Sequence, residues 1–177
     1  MICYKQASSD KELEQILSLQ QQNLIKSLSR EEREKEGFLT VEHTFALLKE
    51  MNDACGHIIA VDRGEVVGYA LCMHPKFGQS IDILKPMFAE INKMMEDKDN
   101  YMVMGQICVA KEYRGKGVFR NLYLTMKNKL PKGFDRIITE VNVKNIRSMN
   151  AHTAMGFKAL KEYTSAGTVW SLIVLSS

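Results

Sequence analysis

The chain has no apolar run approaching the roughly 20 residues that span a bilayer. Its apolar runs, such as 102–104 and 172–175, fall far short, so no membrane partner is expected. The first residues, Met-Ile-Cys-Tyr-Lys-Gln, lack the basic start, apolar stretch and small-residue cleavage site of a secretory leader, and a cytoplasmic location is the expectation. Cysteine is sparse and scattered. Cys3, Cys55, Cys72 and Cys108 form no short-spaced pair of the kind that makes half a zinc site, so no metal is expected. Reduced core thiols are the favoured reading, because nothing around Cys108 marks it as a nucleophile. One sign of charge does not dominate either. The formal net charge is +3 and no run of Lys and Arg with interleaved aromatics occurs, so nucleic acid is not expected as a partner.

What is present is ordinary globular material. With 45% hydrophobic and 25% charged residues over 177 positions, the chain fits one domain over residues 1–177 that buries about two-thirds of its surface. Residues 2–7 read as a short strand. Ser8, Ser9 and Asp10 offer N-caps for a helix carrying Leu13, Ile16, Leu17, Leu24 and Leu28 on one face. The charged stretch 30–36 reads as a solvated helical turn. After Gly37 a second helical pattern groups Val41, Phe45 and Leu48. Residues 57–61 and 66–73 are β-rich and flank Asp-Arg-Gly-Glu, the composition of a hairpin turn. The connection 75–100 contains a helix opened by Pro86, with Met87, Phe88, Ile91, Met94 and Met95 at helical spacing. Residues 101–109 form a near-continuous apolar strand, and 118–129 a helix with Phe119, Leu122 and Met126 in register, followed by Leu130.

The segment between that strand and helix, Val109-Ala-Lys-Glu-Tyr-Arg-Gly-Lys-Gly-Val-Phe-Arg120, carries the chemistry. The first amides of a helix have no backbone acceptor, the helix dipole adds positive potential, and glycines let main chain approach a phosphate. Gly115 and Gly117 give that access, while Arg114, Lys116 and Arg120 can neutralise phosphate oxygens. A pyrophosphate fits. A tight turn with solvated charges is the alternative. The spacing is neither a P-loop nor a dinucleotide fingerprint.

This turn resembles the pyrophosphate loop of the GNAT superfamily of acyl-CoA-dependent N-acetyltransferases, Gln/Arg-x-x-Gly-x-Gly/Ala at a strand-to-helix junction. Arg114 and Gly117 match, and Phe119 replaces the last small residue. Downstream, a strand over 136–141 is followed by Asn145, Ser148, His152 and Gly156-Phe157. These stand where the family places an Asn before a short helix, a small residue, an aromatic general acid and the opening of the next strand. The resemblance runs from about the first strand to Trp170 and is strongest between Gln106 and Phe157. It implies an α/β (α+β mixed sheet) GNAT-like fold: a central, mostly antiparallel sheet of about six to seven strands flanked by helices, with an extra helix between the third and fourth strands.

The resemblance also implies chemistry. Acetyl-CoA would be the cosubstrate, held by main chain of Ile107, Cys108 and Val109 between separating strands and by Arg114, Gly115, Lys116, Gly117, Val118, Phe119 and Arg120. Asn145 and Ser148 would complete this set, although Asn145 can equally be a plain helix cap. A backbone N–H near Ile107 could hold the acyl oxygen as charge develops. His152 stands where many relatives have Tyr and is the expected general acid, with a structural hydrogen-bonding histidine as the alternative. His43, His57 and His74 are read as structural. An alkylammonium with pKa about 10.4 must lose a proton before attack. Glu140 is the expected base, with Glu112, Gln106 through a water, or release to bulk as other routes. Direct transfer in a ternary complex follows. The primary-amine acceptor has no readable code, and its site is expected on the N-terminal helices and the 75–100 insertion. A non-catalytic acyl-CoA-binding or interaction module that keeps the fold is the competing reading. A homodimer could form if the final strand, 168–175, has a free edge.

Overall fold

A computed structural model describes residues 1–36, 38–79, 81–95 and 100–176. Gly37, read as the break between two helical stretches, lies outside the described residues, as do 80 and 96–99 of the 75–100 connection. The chain opens with β1 (Cys3–Gln6) and α1 (Asp10–Asn23). Ser9 caps α1 by accepting from the Glu12 N–H, and the Glu12 carboxylate accepts in return from the Ser8 N–H at 2.8 Å. Such reciprocal capping contributes about 1 kcal/mol. Leu13, Ile16, Leu19 and Gln20 form the buried face of α1. The helix ends at Asn23, short of the expected Leu24 and Leu28. Leu24 turns extended and bridges to Leu39, so the second half of the predicted apolar stripe serves a loop contact.

Next come α2 (Arg30–Glu36) and α3 (Phe45–Ala54), the latter capped by Thr44, which leaves the predicted Val41 outside the helix. The hairpin of β2 (Ile58–Asp62) and β3 (Glu65–Met73) turns through Arg63 and Gly64, both at positive φ. Two left-handed residues in sequence match the twist of the flanking strands. The inserted α4 (Lys85–Met94) buries Met87, Phe88 and Ile91, while Met94 is exposed. Then follow β4 (Tyr101–Val109), α5 (Val118–Asn128), β5 (Arg136–Asn142), α6 (Ile146–Met155), β6 (Lys158–Ser165) and β7 (Thr168–Ser176).

The seven strands form one sheet in the order β1-β2-β3-β4-β5-β7-β6, antiparallel except for the β4–β5 pair. One face packs against α1, α3 and α4 through Ile16, Leu48, Met51, Phe88 and Ile91; the other packs against α5 through Val118, Leu122, Tyr123 and Met126. The final strand β7 lies between β5 and β6, so its edge is not free and the dimer expected through it has no strand edge to use. The edge on that side is β6, which carries Lys158 and Lys161 and breaks register between Ala159 and Lys161, two features that discourage edge pairing.

Two irregularities shape the centre. The β3–β4 register steps from Leu71↔Gln106 to Cys72↔Met104, leaving Gly105 as an extra residue. A bulge bends its strand and shifts the alternation. Tyr101 and Val103 before it, and Gln106 and Cys108 after it, thus share the α1 face. The β4–β5 pairing then covers only Tyr101↔Arg136, Met102↔Ile137 and Val103↔Ile138. Beyond this fork, marked by Thr139 Oγ1 donating to the Met104 carbonyl at 2.8 Å, the strands diverge.

Candidate active site

Beyond the divergence a cavity of about 580 Å³ lies between the end of β4, the start of α5 and α6, the helix that follows β5. Ile107, Cys108 and Val109 form one wall. The Ala110 N–H donates to the Val67 carbonyl at 2.9 Å, on the β3 side. Strand alternation therefore turns the polar groups of Val109 and Ile107 toward the gap, where β5 no longer pairs with them. The Cys108 thiol is buried and pushed up to about 12 by that burial, which keeps it protonated and a poor nucleophile.

Arg114, Gly115, Gly117, Val118, Phe119 and Arg120 supply the floor. Gly115 and Gly117 sit at φ +72° and +80°. An added Cβ would meet nothing within 4 Å at Gly115 and only the Asn121 amide at 3.7 Å at Gly117, so glycine is required here by conformation rather than by space. The first bond of α5 is Asn121 N–H to the Gly117 carbonyl at 3.0 Å. The preceding amides have no acceptor within the helix and point out of its positive end. Among the described residues lining the cavity are Arg114, Arg120 and Arg147 and no acidic side chain, a charge balance suited to a polyanion. Lys116 is not among them; its ammonium lies 5.6 Å from the Tyr113 ring centroid, a cation–π contact.

Asn145 and Ser148 line the opposite wall. Asn145 caps α6, its Oδ1 accepting from the Ser148 N–H at 3.2 Å, and its Nδ2 donates to the Phe38 carbonyl at 3.4 Å. It is thus both a cap and a cavity residue. Several lining residues gave no sequence signal. Arg147, Ala151, Ala154 and Met155 belong to the same helical face as Ser148, and that periodicity could have found them. Asn23, Phe38 and Leu39 arrive from the far end of the chain. Asn23 Oδ1 accepts from Arg114 Nη2 at 2.7 Å, while Arg114 Nε donates to the Val109 carbonyl at 2.9 Å.

The two expected proton-transfer residues stand outside the cavity lining, in contrasting states. His152 is buried, with Phe119 and Phe157 edge-on to its ring, each at 5.1 Å between centroids. Its Nδ1 is 2.8 Å from the Ser148 carbonyl, which can only accept, so Nδ1 carries the proton. Nε2 then accepts from the Tyr123 hydroxyl at 2.8 Å. Burial holds the ring down near pKa 4, and both nitrogens are used inside the fold. Glu140 lies two residues past the last β4–β5 pair, on the face of β5 shared with Ile138. Tyr163 of β6 donates to its Oε2. Burial raises the Glu140 carboxyl to about 7, and the Tyr163 bond opposes that rise. Of the other routes considered for the base, Glu112 is exposed, and Gln106 is enclosed in a buried hydrogen-bond cluster.

The sequence profile of the acetyltransferase (GNAT) family matches residues 14–157. Among curated proteins, none is similar in sequence. Solved structures share the fold. Arabidopsis thaliana NAA60 in complex with acetyl-CoA superposes with a TM-score of 0.71 at 14% identity, covering 100% of both chains. A chain of the NatC complex bound to Gag peptide and CoA gives 0.67 at 16%, covering 99% of this chain and 98% of that one. The ribosomal-protein-S18-alanine N-acetyltransferase of Escherichia coli gives 0.65 at 11%, covering 99% and 94%. No helix among the described residues is long and apolar enough to cross a membrane.

Proposed function

The chain belongs to the acetyltransferase (GNAT) family, and from that premise we propose that residues 1–177 act as one transferase domain that moves an acetyl group from acetyl-CoA to a primary amine. The observation that carries this reading is the fork between β4 and β5, with a glycine-rich, arginine-lined helix start on one side and the half-buried Glu140 beyond it. Bound acetyl-CoA would supply the activated acyl group. The amides at the start of α5, with Arg114 and Arg120, would hold its pyrophosphate. The main chain of Ile107 and the Val109 N–H, left without a β5 partner by the divergence, would hold the extended arm, and an amide there would face the acyl oxygen, while the Val109 carbonyl stays with Arg114.

Glu140 would take the proton from the attacking ammonium. An amine with pKa about 10.4 is almost wholly protonated at neutral pH, and a carboxyl near 7 is better matched to accept from it than one near 4. Tyr163 holds this carboxylate in place. In this reading His152 does not donate to the leaving sulfur, which departs as the CoA thiolate when the C–S bond breaks and takes its proton from water. The imidazole proton is committed to the Ser148 carbonyl, and the ring fixes α6 against α5. Cys108, kept protonated, supports direct transfer rather than an acyl-cysteine route. The commitment of both His152 nitrogens inside the fold favours, as a second reading, a module that binds acyl-CoA without turnover.

Two of the structural neighbours are named for a bound Gag peptide and for an alanine of a ribosomal protein, so peptide amino groups are the first acceptors to test. Release of free CoA thiol from acetyl-CoA, followed with free-N-terminus peptides and simple alkylamines, should depend on the added amine and rise with pH through about 7. Acetyl-CoA binding with no amine-dependent release across the whole panel would select the non-catalytic reading.

A further inference from the structure

Among the described residues, the cluster around Gln106 is the largest buried hydrogen-bonded group that the chemistry above leaves unused. Gln20, His43, Gln106 and Tyr69 are all buried, at 0%, 5%, 7% and 0% exposure. Buried amides are costly unless their hydrogen-bonding groups are paired. Here they are. Gln106 Oε1 accepts from Gln20 Nε2 and from the Tyr69 hydroxyl, each at 2.7 Å, and its Nε2 donates to the Val41 carbonyl at 2.8 Å. Gln20 Nε2 also donates to His43 Nδ1 at 2.9 Å, and its Oε1 accepts from the His43 N–H at 2.9 Å. Burial holds His43 near pKa 4, so the ring is neutral and its Nδ1 can accept. Reversing either amide would set donor against donor, which gives the cluster one orientation.

Its product is the course of residues 38–43. The segment starts at Phe38, whose carbonyl accepts from Asn145 at the head of α6, and continues to Leu39, whose N–H donates to the Asn23 carbonyl at the end of α1. It therefore crosses from one wall of the cavity to the other, with Phe38 and Leu39 facing the space. Val41 and His43 beyond it are held by the two glutamines. Gln20, His43 and Gln106 are not among the described residues lining the cavity.

We propose that Gln106 and Gln20 are positioning residues, which hold the 38–43 segment as a roof over the diverging strands and thereby set how an amine acceptor reaches the acyl group. The proposal rests on the transfer reading above. Gln106 is suited to this because it follows the bulge at Gly105: the extra residue turns its side chain to the α1 face, while the next residue, Ile107, lines the cavity. One strand thus fixes the donor wall with its backbone and the acceptor roof with a side chain. Tyr69 spends its hydroxyl on Gln106 rather than on the roof itself, which makes it the internal control.

The test compares Gln106→Met and Gln20→Met with Tyr69→Phe. Steady-state kinetics would use acetyl-CoA with n-butylamine and with a free-N-terminus heptapeptide, and hydrogen exchange would follow the Leu39 and His43 amides. The glutamine variants should raise the acceptor KM about tenfold, leave the acetyl-CoA KM within about twofold, and speed exchange at both amides at least about tenfold. Tyr69→Phe should lower thermal stability with neither effect. Acceptor and acetyl-CoA KM values rising together, a Tyr69→Phe variant matching the glutamine variants, or unchanged exchange would each overturn the proposal. If wild type transfers to no amine while binding acetyl-CoA, the transfer reading fails separately, and the exchange contrast still decides whether the glutamines hold the roof.

Discussion

The stretch from β4 to α6 and the N-terminal region from α1 to His43 build the same cleft by different means. The first is a succession of local devices: a strand end, two glycines at positive φ, a helix start, and a capped short helix. The second is held by side chains reaching across the sequence, from Gln20 to His43 and Gln106, from Gln106 to Val41, and from Arg114 back to Asn23. Local backbone devices leave compact sequence signatures. Long-range polar contacts leave none, since each residue alone reads as an ordinary Gln or Asn.

The contrast is sharpest at the two titratable residues that flank the cleft, and substitution there separates chemistry from architecture. Glu140→Gln should have the largest effect, lowering kcat at pH 7 by about 10²-fold or more, in the range of general base catalysis. It should also remove the acid limb expected of wild type near pH 7, because Glu140 would serve as a base only when deprotonated above its raised pKa. A variant that keeps both rate and pH profile would transfer the proton to another route.

Acid stability should show the next effect. His43, His57 and His152 are each held near 4 in the fold, against about 6.5 when unfolded, with burial the leading cause. The unfolded chain therefore binds these protons first. Their contribution is complete above about 6.5 and is lost as pH falls toward 4, by up to about 1.4 kcal/mol per pH unit per ring. Glu140 acts in the opposite sense: its raised pKa adds stability at low pH that disappears as pH rises from 4.5 through about 7. Three rings outweigh one carboxyl, so denaturant unfolding should show stability falling from pH 6.5 to 5. A flat or rising profile would contradict the neutral, buried assignment.

His152→Leu tests the smallest of these contrasts. Leaving the Tyr123 hydroxyl unpaired should cost about 1–3 kcal/mol of stability, while kcat of the folded variant stays within about threefold and its pH profile is unchanged. A hundredfold loss of kcat with stability retained would mean that the imidazole acts on the reacting atoms.

These differences explain what the sequence could convey. The strand, glycine turn and helix over 101–128 are legible because apolar periodicity and Gly115 and Gly117 state them directly. The spacing from Asn145 to Phe157 locates α6 but cannot give the direction of the His152 ring, which is decided by Tyr123 and Phe119 on α5. Lys116 reads as a phosphate ligand by proximity in sequence, whereas its long side chain rests on Tyr113. The bulge at Gly105 is invisible because it exists only in the register with β3. Periodicity overextends α1 for a similar reason: Leu24 keeps the helical period but pairs with Leu39.

Calorimetric titration with acetyl-CoA of wild type, Gly117→Val and Lys116→Ala decides whether the glycine turn at the head of α5 holds the cofactor. Wild type should show one saturable site, with affinity reduced by about tenfold or more in Gly117→Val, where a β-branched residue must adopt φ near +80° at the helix start, and changed by less than about twofold in Lys116→Ala. A folded wild type that binds no acetyl-CoA, or binding that Gly117→Val leaves intact, would contradict that role of the turn.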